Sequence, residues 1–211
     1  MTGKAQLPSE LLLAARAQPS PTVERAHRLA DIGRAAASGN EGALEKLLRA
    51  LAPDMLRVMR TVLGPGYGGM DQLLQDCVLD FVGALGRLGD GASVSAFALT
   101  IAFRHALEAK QRGGDDAPWR VVPDAPEFEP FPEIEHRRAV VADLLMTIPR
   151  PQAEALGLRT VVGLSVDEIA RATAAPATTV RSRLRVAKES LRRSLESDPD
   201  LRGLFLLESA S

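Results

Sequence analysis

The chain has 211 residues, which is enough for one medium domain or two small ones. Apolar residues make up 45% of the sequence, so the chain can bury a core and does not have the composition of a disordered tail. The 26 basic and 27 acidic residues nearly cancel, which excludes a uniformly basic nucleic-acid-binding surface but not a local basic patch. The single cysteine, Cys77, excludes a disulfide framework and a cysteine-based zinc cluster.

The composition also predicts the fold class. Aromatic residues make up only 4% of the chain while Ala, Leu and Arg recur, and this balance favours helix over sheet. We therefore expect an all-α protein. No apolar run approaches the roughly 20 residues that span a bilayer, and residues 1–9 lack the layout of a signal peptide. These observations predict a soluble, cytoplasmic chain with no membrane insertion.

The first half of the chain divides into an N-terminal extension, residues 1–39, and a helical domain, residues 40–112. The extension carries two helical patterns, one over Ser9–Ala15 and one over Thr22–Ala37. Apolar residues at steps of three and four then predict three helices in the domain. They are expected over residues 44–62, with a kink or break near Ala52 caused by Pro53, over 71–85, and over 93–111.

A linker, residues 113–134, separates this domain from a second helical domain, residues 135–196, and a tail follows at 197–211. Repeated prolines and acidic residues argue against regular structure in the linker. The second domain begins with a predicted helix over Ile134–Met146, and another helix enters at Pro149. Ser165 and Glu168 have the spacing of a capping box, which predicts a short helix over 166–173. The turn at 174–176 then leads into a long helix over 177–194.

A short helix, a tight turn and a longer basic helix form the layout of a helix-turn-helix, whose second helix lies in the major groove of DNA. Between Pro176 and Leu195 there are six basic residues and a single acid, Glu189. An apolar stripe is expected to pack on the domain, and a row of cations lies about a quarter turn away. Like charges at this spacing repel one another unless a polyanion neutralises them, so the pattern favours DNA binding. The cationic row comprises Arg181, Arg185, Lys188 and Arg192.

Two segments of this second domain resemble a known family. Residues 163–170 read GLSVDEIA and residues 179–191 read TVRSRLRVAKESL. Both closely resemble the minus-35-reading domain of extracytoplasmic-function (ECF) sigma factors, within the sigma-70 superfamily. Residues 71–78 and 92–102 are similar to segments of the same family's other domain, which binds RNA polymerase core and reads and melts the minus-10 element. The resemblance covers about residues 40–112 and 138–196.

The resemblance implies an alternative sigma factor that binds RNA polymerase core and directs it to promoter DNA, with an anti-sigma factor as a candidate regulatory partner. The polymerase-contacting helix would carry Leu74, Gln75 and Asp76. Phe97 and Arg104 are the candidates for minus-10 contact. The implied DNA contacts of the recognition helix are Thr178, Thr179, Arg181, Ser182, Arg183, Arg185 and Lys188.

Two other functions remain open from the residues. The first domain, over 41–112, has eight basic and eight acidic residues and few aromatics, although capture of single-stranded bases calls for a cationic groove and stacking rings. The chain could therefore be a sigma-derived DNA-binding regulator that has lost promoter melting. The other alternative is an interaction module that sequesters a partner.

Catalysis, metal binding and a cofactor are not expected. His27, His105 and His136 lie in three different segments, and none has a second ligand at metal-binding spacing. The glycine-rich run at 64–69 lacks the lysine and the preceding strand of a phosphate-binding loop. Cys77 lies on the apolar face of its predicted helix, which indicates a core residue rather than a nucleophile. We predict that the chain is not an enzyme.

Overall fold

A computed structural model of the chain describes residues 21–64, 66–88, 93–112 and 143–197. Within those ranges the regular secondary structure is helical and contains no strand, which confirms the predicted all-α class. The helices are α1 (Pro21–Ala37), α2 (Glu41–Leu63), α3 (Met70–Leu85), α4 (Val94–Gln111), α5 (Arg150–Thr160), α6 (Val166–Ala172) and α7 (Ala177–Ser197).

Helices α1 to α4 form a first helical block around a core between α2 and α4. Local signals set where these helices begin. The side chain of Asn40 accepts a hydrogen bond from the Ala43 amide at 2.9 Å, and Ser93 accepts one from the Ala96 amide at 3.2 Å. Both residues thereby cap amides that the first helical turn leaves without a partner.

Helix α2 continues through Pro53, so of the two outcomes predicted near Ala52 the break is wrong and the kink stays a prediction. Leu47, Leu51 and Met55 lie on both sides of the proline and are fully buried. A proline inside a helix removes one backbone hydrogen bond at a cost of about 3 kcal/mol. Burial of each large apolar side chain contributes about 1.5–3 kcal/mol, so the three together outweigh that loss.

Helices α5 to α7 form a second helical block, in which α7 packs on both α5 and α6. Helix α5 follows Pro149, as the sequence predicts, and its first residues include Pro151. After the helix the chain turns at Gly163, whose φ of +84° lies in the left-handed region that glycine adopts without strain. The helix-turn-helix made by α6 and α7 comes next in the chain.

The two blocks pack against each other, because α5 and α6 both contact α4. Buried apolar side chains of both blocks belong to one continuous cluster. The domain boundaries given above remain predictions. The predicted helix over Ser9–Ala15, the linker, most of the predicted helix over Ile134–Met146 and the tail from residue 198 lie outside the described residues. Over the described ranges, none of the helices is both long and apolar enough to cross a membrane.

Candidate nucleic-acid interface

The capping box predicted at the start of α6 is present. The Ser165 hydroxyl oxygen accepts a hydrogen bond from the Glu168 amide at 3.2 Å, and the Glu168 carboxylate accepts one from the Ser165 amide at 2.9 Å. The Ser165 hydroxyl also donates to that carboxylate, at 2.7 Å. These bonds, first from the side chain and then from the backbone of Ser165, lower the pKa of Glu168, and the Arg171 charge adds to the effect.

The turn between α6 and α7 places the recognition helix. Ala174 has a φ of +50°, in the left-handed region, and it is the only described residue other than glycine with a positive φ. The Ala175 amide donates to the Ala170 carbonyl at 3.0 Å, which closes the end of α6. The chain then enters α7 after Pro176.

Helix α7 has the two faces that the sequence predicts. Val180 and Ala187 are fully buried, Leu184 is 9% exposed, and Leu191 packs at the edge of the core. This apolar stripe fixes the rotation of α7 about its own axis. It therefore also fixes which side chains point away from the protein.

The candidate DNA contacts divide into two groups by exposure. Five are exposed, namely Thr178, Arg181, Ser182, Arg185 and Lys188. Thr179 and Arg183 are half-buried and lie on a different side of the helix. Glu189 carries the nearest carboxylate to Arg185, and at 3.9 Å the pair is longer than a hydrogen bond. The exposed group presents a cationic surface, which we call the α7 outer face.

The candidate polymerase contacts lie on α3. Gln75 is exposed, whereas Leu74 is half-buried and packs against the core. Asp76 is half-buried and its carboxylate accepts a hydrogen bond from the Gln72 amide group at 2.9 Å. The structure therefore places Gln75 best for a partner.

Sequence reasoning missed two exposed apolar residues on the same helix. Leu79 is 63% exposed and Val82 is 36% exposed. With Gln75 they are spaced by four and three residues, so all three share one side of α3. This spacing is visible in the sequence and could have identified the two residues. We call this side, formed by Gln75, Leu79 and Val82, the α3 outer face.

The minus-10 candidates on α4 are both engaged within the chain. Phe97 is half-buried, and its ring centroid lies 6.1 Å from that of Phe81. Arg104 donates a hydrogen bond from its Nε to the carboxylate of Glu154 on α5. No sequence pattern identifies Glu154 as the partner, because the two residues are 50 positions apart.

A cleft of about 310 Å³ separates Phe97 from the second block. Its lining includes Leu88, Ala96 and Phe97 of the first block and Glu168 and Arg171 of α6. The minus-10 candidates thus face α5 and α6, whereas the α7 outer face is directed away from the core.

The remaining titratable residues fit a structural role. Cys77 is fully buried, and this burial, together with the nearby Asp80 and Asp76 charges, raises the pKa of its thiol to about 12. His105 forms a 2.7 Å contact with the Asp80 carboxylate, across α4 and α3. In the part of the chain that the structure describes, no group of His, Cys, Asp and Glu side chains could hold a metal ion.

Comparison with known proteins identifies the family. Residues 138–191, which include α5, α6 and most of α7, match the family described as Sigma-70, region 4. The ECF RNA polymerase sigma factor SigD of Mycobacterium tuberculosis is 31% identical over 176 residues, which cover 77% of this chain and 81% of SigD. The chain belongs to the ECF RNA polymerase sigma factors.

Further comparisons agree with this assignment. SigC of the same species is 29% identical to this sigma factor over 175 residues, covering 80% of this chain and 91% of SigC. Among solved structures, that of CnrH in complex with the cytosolic domain of CnrY matches with a TM-score of 0.55 and 20% identity. The match covers 79% of this chain and 96% of the other, and it supports the fold alone. As an ECF sigma factor, the chain binds RNA polymerase core and directs promoter recognition, and its region 4 reads the minus-35 element.

Proposed function

We propose that this sigma factor reads the minus-35 element through the α7 outer face. One observation carries the proposal, namely that Arg181, Arg185 and Lys188 are exposed directly beside the stripe that anchors α7 to the block. A helix held in this way can enter the major groove without rearranging its own core. The exposed cations then replace counterions along the DNA backbone.

Each exposed side chain suits a particular DNA group. Arg181 and Arg185 are one turn apart, and a guanidinium can donate two parallel hydrogen bonds to a guanine edge. Thr178 and Ser182 offer hydroxyls for phosphate or base edges. Thr178 and Thr179 also lie in the first turn of α7, where free backbone amides favour a phosphate. We assign Thr179 and Arg183 to phosphates at the edge of the groove, because they lie away from the cationic row.

The α3 outer face is the proposed contact with RNA polymerase core. Gln75 and Asp76 supply polar groups, Leu74 supports them from the core, and exposed Leu79 and Val82 extend the surface with apolar area. An exposed leucine flanked by polar side chains is typical of the centre of a protein interface.

A charged substitution tests this surface without disturbing the core. Leu79→Glu should weaken core binding, whereas Ala26→Glu, at an exposed position of α1, should leave it unchanged. The dissociation constant of each variant is measured by titrating labelled protein with purified core. Equal affinities for the two variants would remove the α3 outer face from the contact.

The proposed role is regulatory rather than enzymatic. Two residues that could take part in catalysis have structural explanations. Cys77 is buried in the core, and His105 contacts the Asp80 carboxylate. Neither residue belongs to a pair of nucleophile and adjacent base. A sigma factor works where polymerase and chromosome meet, so we place its action in the cytoplasm. An anti-sigma factor is the proposed regulatory partner. Co-purification of the tagged chain from its own cells tests this, and a screen that recovers only polymerase subunits would contradict it.

Run-off transcription tests the central proposal. Purified RNA polymerase core is incubated with a genomic DNA library, with and without this protein. New transcripts that share an upstream element are expected, and the Arg181→Ala/Arg185→Ala variant should lose them. Transcription that is independent of the two arginines would contradict minus-35 reading by α7.

A second candidate function is a sigma-derived regulator that binds core and DNA without melting the promoter. The engagement of Phe97 and Arg104 within the chain favours it. Permanganate footprinting on the same promoters separates the two functions. Reactive thymines near the start site support a complete sigma factor, and their absence from polymerase–promoter complexes supports the regulator.

A further inference from the structure

The side of helix α2 that lies opposite its buried side is cationic. The buried side includes Leu47, Leu51 and Met55, which are fully buried. At about 100° per residue, a second row of side chains falls within an arc of about 80° on the far side of the helix. Every member of this row is exposed. We call it the α2 outer face, and it comprises Lys46, Arg49, Pro53, Arg57 and Arg60.

The charges of the first block are separated between its helices. Bases and acids balance over residues 41–112, but the sequence of α3 has three acidic residues, Asp71, Asp76 and Asp80, and no basic one. Helix α2 has four bases and three acids, and all four bases lie on its outer face. The neutral total therefore hides a local cationic surface on α2.

The carboxylates beside this surface leave it positively charged. Glu45 pairs with Arg49 at 2.7 Å, but both side chains are exposed, so the pair is weak. Asp54 is shared by two guanidinium groups, that of Arg57 at 2.8 Å and that of Arg25 at 2.6 Å. One positive charge therefore remains on this group of three. Arg25 belongs to α1, so it extends the cationic surface from α2 onto the neighbouring helix.

The spacing of the cations suits the two strands of a duplex. Lys46 and Arg49 form one pair of neighbours, Arg57 and Arg60 form another, and exposed Pro53 lies between the pairs. The midpoints of the pairs are about 11 residues apart, which is roughly 16 Å along an α-helix. The major groove of B-DNA is about 12 Å wide, so the long side chains of the two pairs can reach phosphates on both sides of one groove.

The composition of the α2 outer face favours a nucleic acid over a protein partner. In the part of the chain that the structure describes, the exposed large apolar side chains are Leu79 and Val82, and both belong to the α3 outer face. The α2 outer face offers lysine and arginine around one proline instead. Protein interfaces have an apolar centre and are depleted in lysine, whereas lysine and arginine neutralise the phosphates of DNA.

We propose that the α2 outer face binds the phosphate backbone of double-stranded DNA without reading its sequence. It is a second DNA-binding surface of this sigma factor, separate from the α7 outer face. Phosphate contacts supply affinity and position the protein, whereas contacts to bases determine specificity. The first block thus adds affinity for any duplex. Minus-35 reading by α7 is not needed for this binding.

Salt-dependent binding of duplex DNA tests the proposal. The probe is a random-sequence pool of duplexes of about 30 base pairs, and the full chain carries Arg181→Ala and Arg185→Ala so that α7 contributes less. In this background Lys46→Gln/Arg60→Gln should weaken binding on the order of tenfold at about 50 mM salt, and it should lower the salt slope by about 2. Lys46→Arg/Arg60→Lys keeps both charges and should bind like the background. Fluorescence anisotropy gives each dissociation constant.

The matched control removes the same charge from other places. Arg34→Gln/Arg112→Gln neutralises two exposed arginines near the ends of α1 and α4, and it should leave the affinity and the salt slope close to those of the background. An equal loss in this control would show that total charge determines binding, and it would overturn the proposal.

Two further results would also overturn it. One is unchanged duplex binding in Lys46→Gln/Arg60→Gln. The other is a loss of polymerase core binding in that variant without a loss of duplex binding, which would assign the α2 outer face to a protein partner. Failure of the run-off experiment would leave the duplex result unaffected, because the probe is not a promoter and the two arginines of α7 are already replaced.

Discussion

Helices α4 and α7 both carry residues predicted to touch promoter DNA, yet the structure presents them in opposite ways. Arg181, Arg185 and Lys188 of α7 are exposed on the side of the helix that faces away from the core. Phe97 and Arg104 of α4 are in contact with other parts of the chain. One candidate DNA-binding surface is therefore exposed, and the candidate residues of the other are in contact with the chain itself.

The two surfaces also differ in the range of the interactions that build them. The two ends of α6 are set by contacts between residues three to five apart, namely the Ser165–Glu168 capping box and the Ala175–Ala170 hydrogen bond. On α4, by contrast, Arg104 is held by Glu154, which is 50 positions away along the chain. Short-range interactions form whether or not the blocks touch, so the capping box and the turn after α6 do not depend on the packing of α5 and α6 on α4.

The largest expected effect is on the binding of duplex DNA by α7. Arg181→Ala and Arg185→Ala should each weaken binding to promoter duplex by about 1–3 kcal/mol, and each should reduce the salt slope by about 1. Fluorescence anisotropy at several salt concentrations measures both quantities.

Arg183→Ala is the matched control for these variants, since the same charge is removed from the half-buried side of α7. The loss of DNA-binding free energy in Arg183→Ala should be clearly smaller than in Arg181→Ala or Arg185→Ala. A loss at Arg183 as large as at Arg181 would show that net charge, rather than the α7 outer face, determines binding.

The second-largest expected effect is on the free energy of unfolding, through the cap at the start of α6. Ser165→Ala removes the cap of α6 and should lower the free energy of unfolding by about 1 kcal/mol. Ser182→Ala, at an exposed position of α7, should cause no such loss, because alanine favours the helix interior. Urea denaturation followed by circular dichroism gives both values. Equal stabilities for the two variants would show that the second block is not maintained by its local cap.

The same capping box predicts a pH dependence. The pKa of Glu168 in the folded chain is lowered from its ordinary value of 4.5. Its carboxylate therefore stabilises the fold above that value, and the contribution disappears as the pH falls through the folded-state pKa. Glu168→Gln should be less stable than the parent at neutral pH, and the difference should shrink as the pH falls below 4.5 and through the lowered folded-state pKa. A difference that stays constant over this range would contradict the carboxylate's role in the cap.

The contrast between short-range and long-range interactions also explains what could be predicted from the sequence. The capping box, the Ser93 helix start and the two faces of α7 follow from residue spacing, and the structure confirms them. The continuation of α2 through Pro53 could not be predicted, since it depends on a core formed with other helices. The Arg104–Glu154 pair has no local signal, because it depends on how α5 meets α4.

The smallest expected effect lies in the turn of the helix-turn-helix, where local sequence and structure disagree. Ala174 adopts a φ of +50°, a region that costs a residue with a Cβ about 1–2 kcal/mol. Ala174→Gly removes that strain but makes the unfolded chain more flexible, which costs about 0.4–1 kcal/mol. The net expectation is a gain of about 0.5 kcal/mol in the free energy of unfolding.

Ala170→Gly, inside α6, is the control and should lose about 1 kcal/mol, because its helical backbone gains nothing from glycine. Opposite signs for the two substitutions would show that the turn is imposed on an unfavourable residue by the packing of α6 on α7. A loss at both positions would mean that Ala174 is not strained in solution. In that case the local sequence would be enough to set the turn between α6 and α7, whereas Arg104 of α4 would still depend on a partner 50 positions away.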